Sequence, residues 1–265
     1  MAKHNPENQP PDMVLIHGLG SGPSFWDNIA GELSRDYTIH TVSLLGHGPG
    51  ARPLSIEEAS PSQLAHAVID KLSEKDVERA HVVGLSLGGW VALELATTDF
   101  ALSSVAFAPA GLWEQKPSVP SLHVQAVLRK GFFMLSPIVP HVIGFEPLTR
   151  MILKSNVVEP SKVTRSQMLS GMEDIVNAKG FGSCLRASLN SKFTGGSNIK
   201  VPTLVAFGDS DQLLTSPKSQ NRSAVDQEVE WLTVADCGHA MTWDQPDKCL
   251  ELIRRTAGKV SGPLC

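Results

Sequence analysis

The run Gly84-Leu85-Ser86-Leu87-Gly88-Gly89 constrains the fold of this chain more than any other. It follows the apolar run His81-Val82-Val83 and precedes a stretch, Trp90 to Ala96, with apolar residues at helical spacing. A strand that becomes a helix within so few residues must bend sharply. Glycine is required at the flanking positions of such a turn, because a Cβ there would collide with neighbouring backbone. The turn lifts the serine hydroxyl above the sheet, which makes Ser86 a candidate nucleophile. Taken alone, a serine in this place is also an ordinary helix N-cap, so the assignment depends on what else the chain supplies.

The same strand-then-helix order recurs along the chain. Apolar runs at Met13 to Ile16, Ile39 to Val42, His81 to Leu85, Val105 to Ala108, Thr203 to Phe207 and Val229 to Val234 read mostly as strands buried on both faces. Between them, Phe25 to Leu33, Gln63 to Leu72, Gly89 to Ala96 and Cys249 to Ile253 place apolar residues at helical spacing. Alternation of this kind predicts an α/β fold with a doubly wound, mostly parallel sheet. It fails between about Gly111 and Lys200, where prolines recur and Ser121 to Leu135, Pro147 to Lys154 and Ser161 to Asn177 read as helical. Gly195-Gly196-Ser197 then returns the chain to the strand near Val201. A single core from residues 1–110 and 200–265, carrying a helical cap inserted at 111–199, is expected for a chain of 265 residues.

A serine is a weak nucleophile until a base and an orienting group act on it. His239, in Cys237-Gly238-His239-Ala240, follows the last apolar run and is the candidate base. The run Leu204 to Phe207 ends in Gly208-Asp209-Ser210-Asp211, which offers two carboxylates. Asp211 is the preferred acid and Asp209 the alternative, although either could simply cap a helix entering near Pro217. An oxyanion needs donors as well. The N–H of Leu87, next after the serine, is one candidate, and the N–H of Leu19, in the loop His17-Gly18-Leu19-Gly20, is the other.

These fragments, together with Gly46-His47-Gly48 after the second strand, resemble the α/β-hydrolase family over nearly the whole chain. The resemblance implies, in chain order, an oxyanion loop, a structural turn, the nucleophile elbow, the acid and the base. It also implies hydrolysis of a carboxylic ester or related acyl compound through an acyl-Ser86 intermediate, with no metal or organic cofactor. Serine at the elbow, instead of aspartate, argues against the family's epoxide hydrolase and dehalogenase chemistry. Only twelve residues precede Met13, so a sheet shortened at its N-terminal edge is expected. Ser43-Leu44-Leu45 also stands where the family's second loop often begins with aspartate. Trp243, Gly20-Ser21-Gly22-Pro23 and Trp26 are similar to the family's carbon–carbon bond hydrolases of ring-fission products, whereas Leu85 replaces their asparagine before the serine. A ligand receptor retaining the hydrolase fold is a third reading.

Charge and composition narrow the partners. Twenty-three Lys and Arg stand against 27 Asp and Glu, for a formal charge of −4, and no basic run occurs, so nucleic acid and anionic lipid are not expected. The first dozen residues lack the pattern of a secretory signal. The longest apolar stretch, Phe132 to Phe145, is interrupted by Ser136, two prolines and His141 and falls short of the roughly 20 residues that span a bilayer. Cys184, Cys237, Cys249 and Cys265 show neither a disulfide framework nor metal-finger spacing, in keeping with a reducing cytoplasm. The expected ligand is a small hydrophobic acyl or aromatic molecule, with Trp113, Phe132 and Trp243 as candidate pocket residues. The oligomeric state is not legible.

Overall fold

The computed structural model describes residues 10–114 and 153–260. Six strands, β1 (Asp12–Ile16), β2 (Thr38–Val42), β3 (Ala80–Leu85), β4 (Ala101–Phe107), β5 (Thr203–Gly208) and β6 (Glu230–Val234), form one sheet in the order 2-1-3-4-5-6. Every neighbouring pair is parallel, and the expected α/β hydrolase sheet is present. Helices α1 (Asp27–Leu33), α2 (Pro61–Ser73), α3 (Leu87–Leu95) and α7 (Pro246–Ala257) accompany it. Between β4 and β5 lie α4 (Arg165–Asn177) and α5 (Phe181–Asn190), and the short α6 (Met241–Asp244) follows β6.

Alternation along β1 shows why the sheet is covered on both sides. Met13 and Leu15 enter one apolar cluster with Trp26, Ile29 and Leu252, while Val14 and Ile16 enter a second with Leu64, Val68 and Leu72. The last three lie four residues apart on α2, whose start is set by Pro61 and by Ser60, its side chain accepting the Gln63 N–H. The edge strands β2 and β6 are only partly buried, unlike the four between them.

Two boundaries differ from the sequence reading. β4 begins at Ala101, four residues before the apolar run that announced it at Val105. Ser103 and Ser104 hide its first half from any hydrophobicity pattern, yet both are buried and satisfied, Ser104 donating to the Ala92 carbonyl and Ser103 pairing with His81. In the insertion, the helix expected from Ser161 starts at Arg165, behind a capping box of Thr164 and Gln167. The helix α5 was not anticipated. Ser121 to Leu135 and Phe132 lie outside the described residues, as does most of Pro147 to Lys154.

The chain passes from β1 outward to β2 and then returns across β1 to β3, so strand order reverses between β1 and β3. Ligands of open α/β sheets bind beyond the carboxyl ends of the strands at such a reversal. Ile16 and Gly84 are register partners there, which sets the loop after β1 beside the turn after β3. No helix among the described residues is long and apolar enough to cross a membrane.

Candidate active site

Ser86 occupies the apex between β3 and α3 at φ 56° and ψ −115°, in the left-handed half of backbone space. A non-glycine residue there is strained and persists only where its surroundings hold it. Its N–H donates to Phe107 O (2.9 Å), and its carbonyl accepts from Trp90 N (3.0 Å) and Ala110 N (2.9 Å). The glycines behave as the sequence required. A Cβ on Gly84 would lie 2.0 Å from Gly88 O, and one on Gly88 would lie 2.2 Å from Ile16 O. Ser86 is partly exposed while Leu85 and Leu87 on either side are buried.

Asp211 and His239 extend from the loops after β5 and β6, which are sheet neighbours. His239 Nδ1 and Asp211 Oδ2 are 2.9 Å apart and both side chains are buried. Asp211 Oδ1 accepts from the amides of Leu213 (2.8 Å) and Leu214 (2.9 Å). Burial pushes the Asp211 carboxyl up, but the His239 ring and the two amides outweigh it and hold the group below its ordinary 3.8. The carboxylate is therefore ionised and rigid. No helix forms near Pro217 among the described residues, so the pair of aspartates does not cap one there.

Asp209 is exposed and lies elsewhere. Its carboxylate accepts from Asp236 N (3.2 Å) and Cys237 N (3.3 Å), joining the loops after β5 and β6 without touching the imidazole. The two loops run close together, since a Cβ on Gly208 would lie 2.0 Å from Cys237 O. Asp244, which the sequence reading passed over, accepts from Gly238 N (2.7 Å) and Val158 N (3.0 Å), and Asn156 O accepts from Ala240 N (2.7 Å). His239 is thus held by backbone bonds on both of its flanks. A polar residue five positions beyond a loop histidine carries no distinguishing pattern, so only the fold reveals this support.

Of the donors read from sequence, Leu87 N–H is the first amide of α3 and has no partner inside the helix. In the loop after β1, Gly20 N donates to His47 Nε2 (3.1 Å) and Ser21 N to Gly18 O (3.2 Å). Leu19 N–H, just before them, has no acceptor among the described residues. Gly18 abuts the elbow: a Cβ there would lie 3.2 Å from Ser86 Cβ. Ser86 and His239 follow the carboxyl ends of β3 and β6 in the parallel sheet, with no direct hydrogen bond between the Ser86 hydroxyl and the His239 ring among the described residues.

The candidate pocket residues have different settings. Trp113 is buried, edge-on to Trp90 (5.5 Å between centroids), and its indole N–H donates to Ser191 O (3.0 Å), so it ties the chain after β4 to the end of α5. Trp243 stacks on Phe25 (5.3 Å, 23°) beneath Gly171 of α4. The helices α4 and α5 reach the loops around the elbow. Ser24 Oγ donates to Asp174 Oδ2 (2.9 Å), Gly180 N donates to Gly46 O (2.8 Å), and the Phe181 ring fills the space a side chain on Gly20 would need.

A parallel sheet with a strained serine after β3 and a buried Asp–His pair after β5 and β6 defines an α/β hydrolase. Residues 13–252 match the alpha/beta hydrolase family, and the chain belongs to it. Among curated relatives, it is similar to the pimeloyl-acyl-carrier-protein methyl ester esterase of Nitrosomonas europaea, 25% identical over 90% of this chain and 92% of that protein. An uncharacterized Mycobacterium bovis protein is 37% identical over 86 residues, 32% of this chain and 25% of that protein, so the match spans about a quarter of that relative. Among solved structures, the enol-lactonase of Burkholderia xenovorans superposes with a TM-score of 0.72 at 19% identity, covering 96% of this chain and 94% of the other. A thermophilic esterase from Thermogutta terrifontis gives 0.68 at 19%, covering 96% and 92%. At such identities these structures share the fold.

Proposed function

We propose that this chain is a serine hydrolase that cleaves a carboxylic ester, or a related acyl compound with a hydrophobic moiety, through an acyl-Ser86 intermediate. The observation that carries the reading is the buried 2.9 Å bond between His239 Nδ1 and Asp211 Oδ2, beside a serine in strained backbone. With Nδ1 donating to the carboxylate, Nε2 is the ring nitrogen left to accept the Ser86 proton. The alkoxide attacks the acyl carbon, and the Leu19 and Leu87 amides stabilise the oxyanion that develops. Collapse expels the alcohol, protonated by His239, and leaves Ser86 acylated. Water, deprotonated by the same imidazole, then attacks the acyl-enzyme and the acid departs. Asp211 stays ionised throughout and stabilises the transient imidazolium.

The described helices α4 and α5, within the insertion between β4 and β5, serve as a cap over this site. The half-buried Met168, Leu169, Met172 and Ile175 of α4, and the Trp243–Phe25 stack under that helix, favour a hydrophobic substrate. The similarity to a methyl ester esterase supports an ester over a ring-fission ketone. A fluorophosphonate probe should label Ser86 covalently in the wild type, and Ser86→Ala should lose both the label and turnover. Acyl esters, lactones and ring-fission dienones assayed in parallel assign the bond cleaved. Labelling at a different serine refutes the mechanism, and a labelled protein without ordinary turnover on any of them, far below about 1–10³ s⁻¹, would favour a receptor.

A further inference from the structure

Two histidines outside the Asp–His pair remain without a role in the mechanism. His17 opens the loop after β1, and His47 lies in the Gly46-His47-Gly48 turn after β2. Each ring reaches across to the other's segment. His17 Nε2 accepts from Leu44 N (3.1 Å), and its Nδ1 meets Gly18 O (2.8 Å). His47 Nε2 accepts from Gly20 N (3.1 Å), and its Nδ1 meets Leu45 O (3.2 Å). An amide only donates and a carbonyl only accepts. These partners therefore dictate the same form for both rings, with the proton on Nδ1, a bare Nε2 and no charge. The ring centroids are 5.2 Å apart and both side chains are buried. Burial lowers the His17 pKa to about 3, in keeping with a neutral ring.

We propose that His47 is a positioning residue for the reaction proposed above, its bare Nε2 holding the Gly20 amide so that the Leu19 N–H is presented to the oxyanion. The inference rests on that reading of Ser86. Gly20 has φ 73° and is closed in on its other side by the Phe181 ring, so the loop is fixed between His47 and α5. Ser21 N–H is turned back onto Gly18 O, which leaves Leu19 N–H as the donor in that turn. Gly18 in turn contacts the elbow, and any drift of the turn would move the donor relative to Ser86. An oxyanion donor acts only within about 2.7–3.1 Å of the developing charge, and a misplacement of about 1 Å can lower the rate on the order of 10²-fold.

The test compares His47→Leu, His47→Gln and His47→Asn by steady-state kinetics on the best ester, with rates of fluorophosphonate labelling. A glutamine oxygen reaches about as far as ring Nε2, whereas an asparagine oxygen reaches only the Nδ1 position. The leucine and asparagine variants should lose roughly 10–100-fold in kcat with KM nearly unchanged. The glutamine variant should recover to within about threefold of wild type. Nitrogen-15 NMR of the wild type should show a protonated Nδ1 and a bare Nε2 on His47, a readout available even if the leucine variant fails to fold. A protonated Nε2, an unaffected kcat in the leucine variant, or equal losses for glutamine and asparagine would each overturn the proposal. If wild-type Ser86 is labelled and turns over but the variants behave so, the hydrolase reading stands without it. If wild-type Ser86 is not labelled at all, that reading falls and takes this one with it.

Discussion

Asp211 and His239, 28 residues apart in the chain, meet as a buried 2.9 Å pair because β5 and β6 are neighbours whose carboxyl ends face the same way. Asp209, two residues earlier, instead bonds the amides of Asp236 and Cys237. Asp211→Asn should fold normally and lose on the order of 10⁴ in kcat, the magnitude seen when the aspartate of a Ser-His-Asp triad is changed. Asp209→Asn should lower the melting temperature slightly and leave kcat within a few-fold. Steady-state kinetics on both variants decide between them, and the reverse ranking would move the orienting role to Asp209.

The elbow tolerates no side chain where its turns cross. Gly84→Ala places a Cβ 2.0 Å from Gly88 O, and Gly88→Ala one 2.2 Å from Ile16 O, both against backbone that cannot rotate away. Each should destabilise by about 3 kcal/mol or more. Gly31→Ala is the contrast: it lies exposed in α1 with nothing within 4 Å of the new methyl and should stabilise by up to about 1 kcal/mol. Urea unfolding midpoints check the ranking, and a well-folded Gly84→Ala would show that the turn can open.

Two buried histidines should make the fold sensitive to mild acid. Burial lowers His17 from 6.5 to about 3, and burial lowers His81, paired with Ser103, from 6.5 to about 4. The unfolded chain then takes up protons first as pH falls. Stability is complete above about 6.5 and declines as pH falls, down to about 4 for His81 and about 3 for His17. At pH 5 each histidine should account for about 2 kcal/mol of that loss. Asp211, held below 3.8, contributes only at lower pH, where its stabilisation disappears as it protonates. Urea unfolding at pH 7 and pH 5 should show a smaller drop for His81→Gln than for wild type; equal drops would count against the assignment.

Substrate length should register the apolar surroundings of the site. Across acetyl, butyryl, hexanoyl and decanoyl esters of one alcohol, kcat/KM should rise until the space under α4 is filled, by at most about 0.8 kcal/mol per methylene. Replacing Gly171, which a Cβ would bring to 4.0 Å from Trp243, with leucine should shift the optimum toward shorter chains. A steady fall from acetyl onward in the wild type would mean that α4 closes the site instead of lining it.

Local sequence determined the elements whose cause is local. The elbow was legible because Gly84 and Gly88 are demanded by backbone contacts within one turn, and β1, β3 and β5 because strands buried on both faces must be continuously apolar. The candidates Ser86, Asp211 and His239 could be picked out because each follows a strand. Asp211 could be preferred to Asp209 but not fixed as the partner of the imidazole, since both follow β5 and only the packing of the loops after β5 and β6 separates them. The first half of β4 was concealed by Ser103 and Ser104, whose hydroxyls find partners only once β3 and α3 are in place. The same holds for His17 and His47. Nothing in a G-H-G or H-G-x-G run shows that two rings 5.2 Å apart will each accept an amide from the other's loop, because those loops become neighbours only when β2 pairs beside β1.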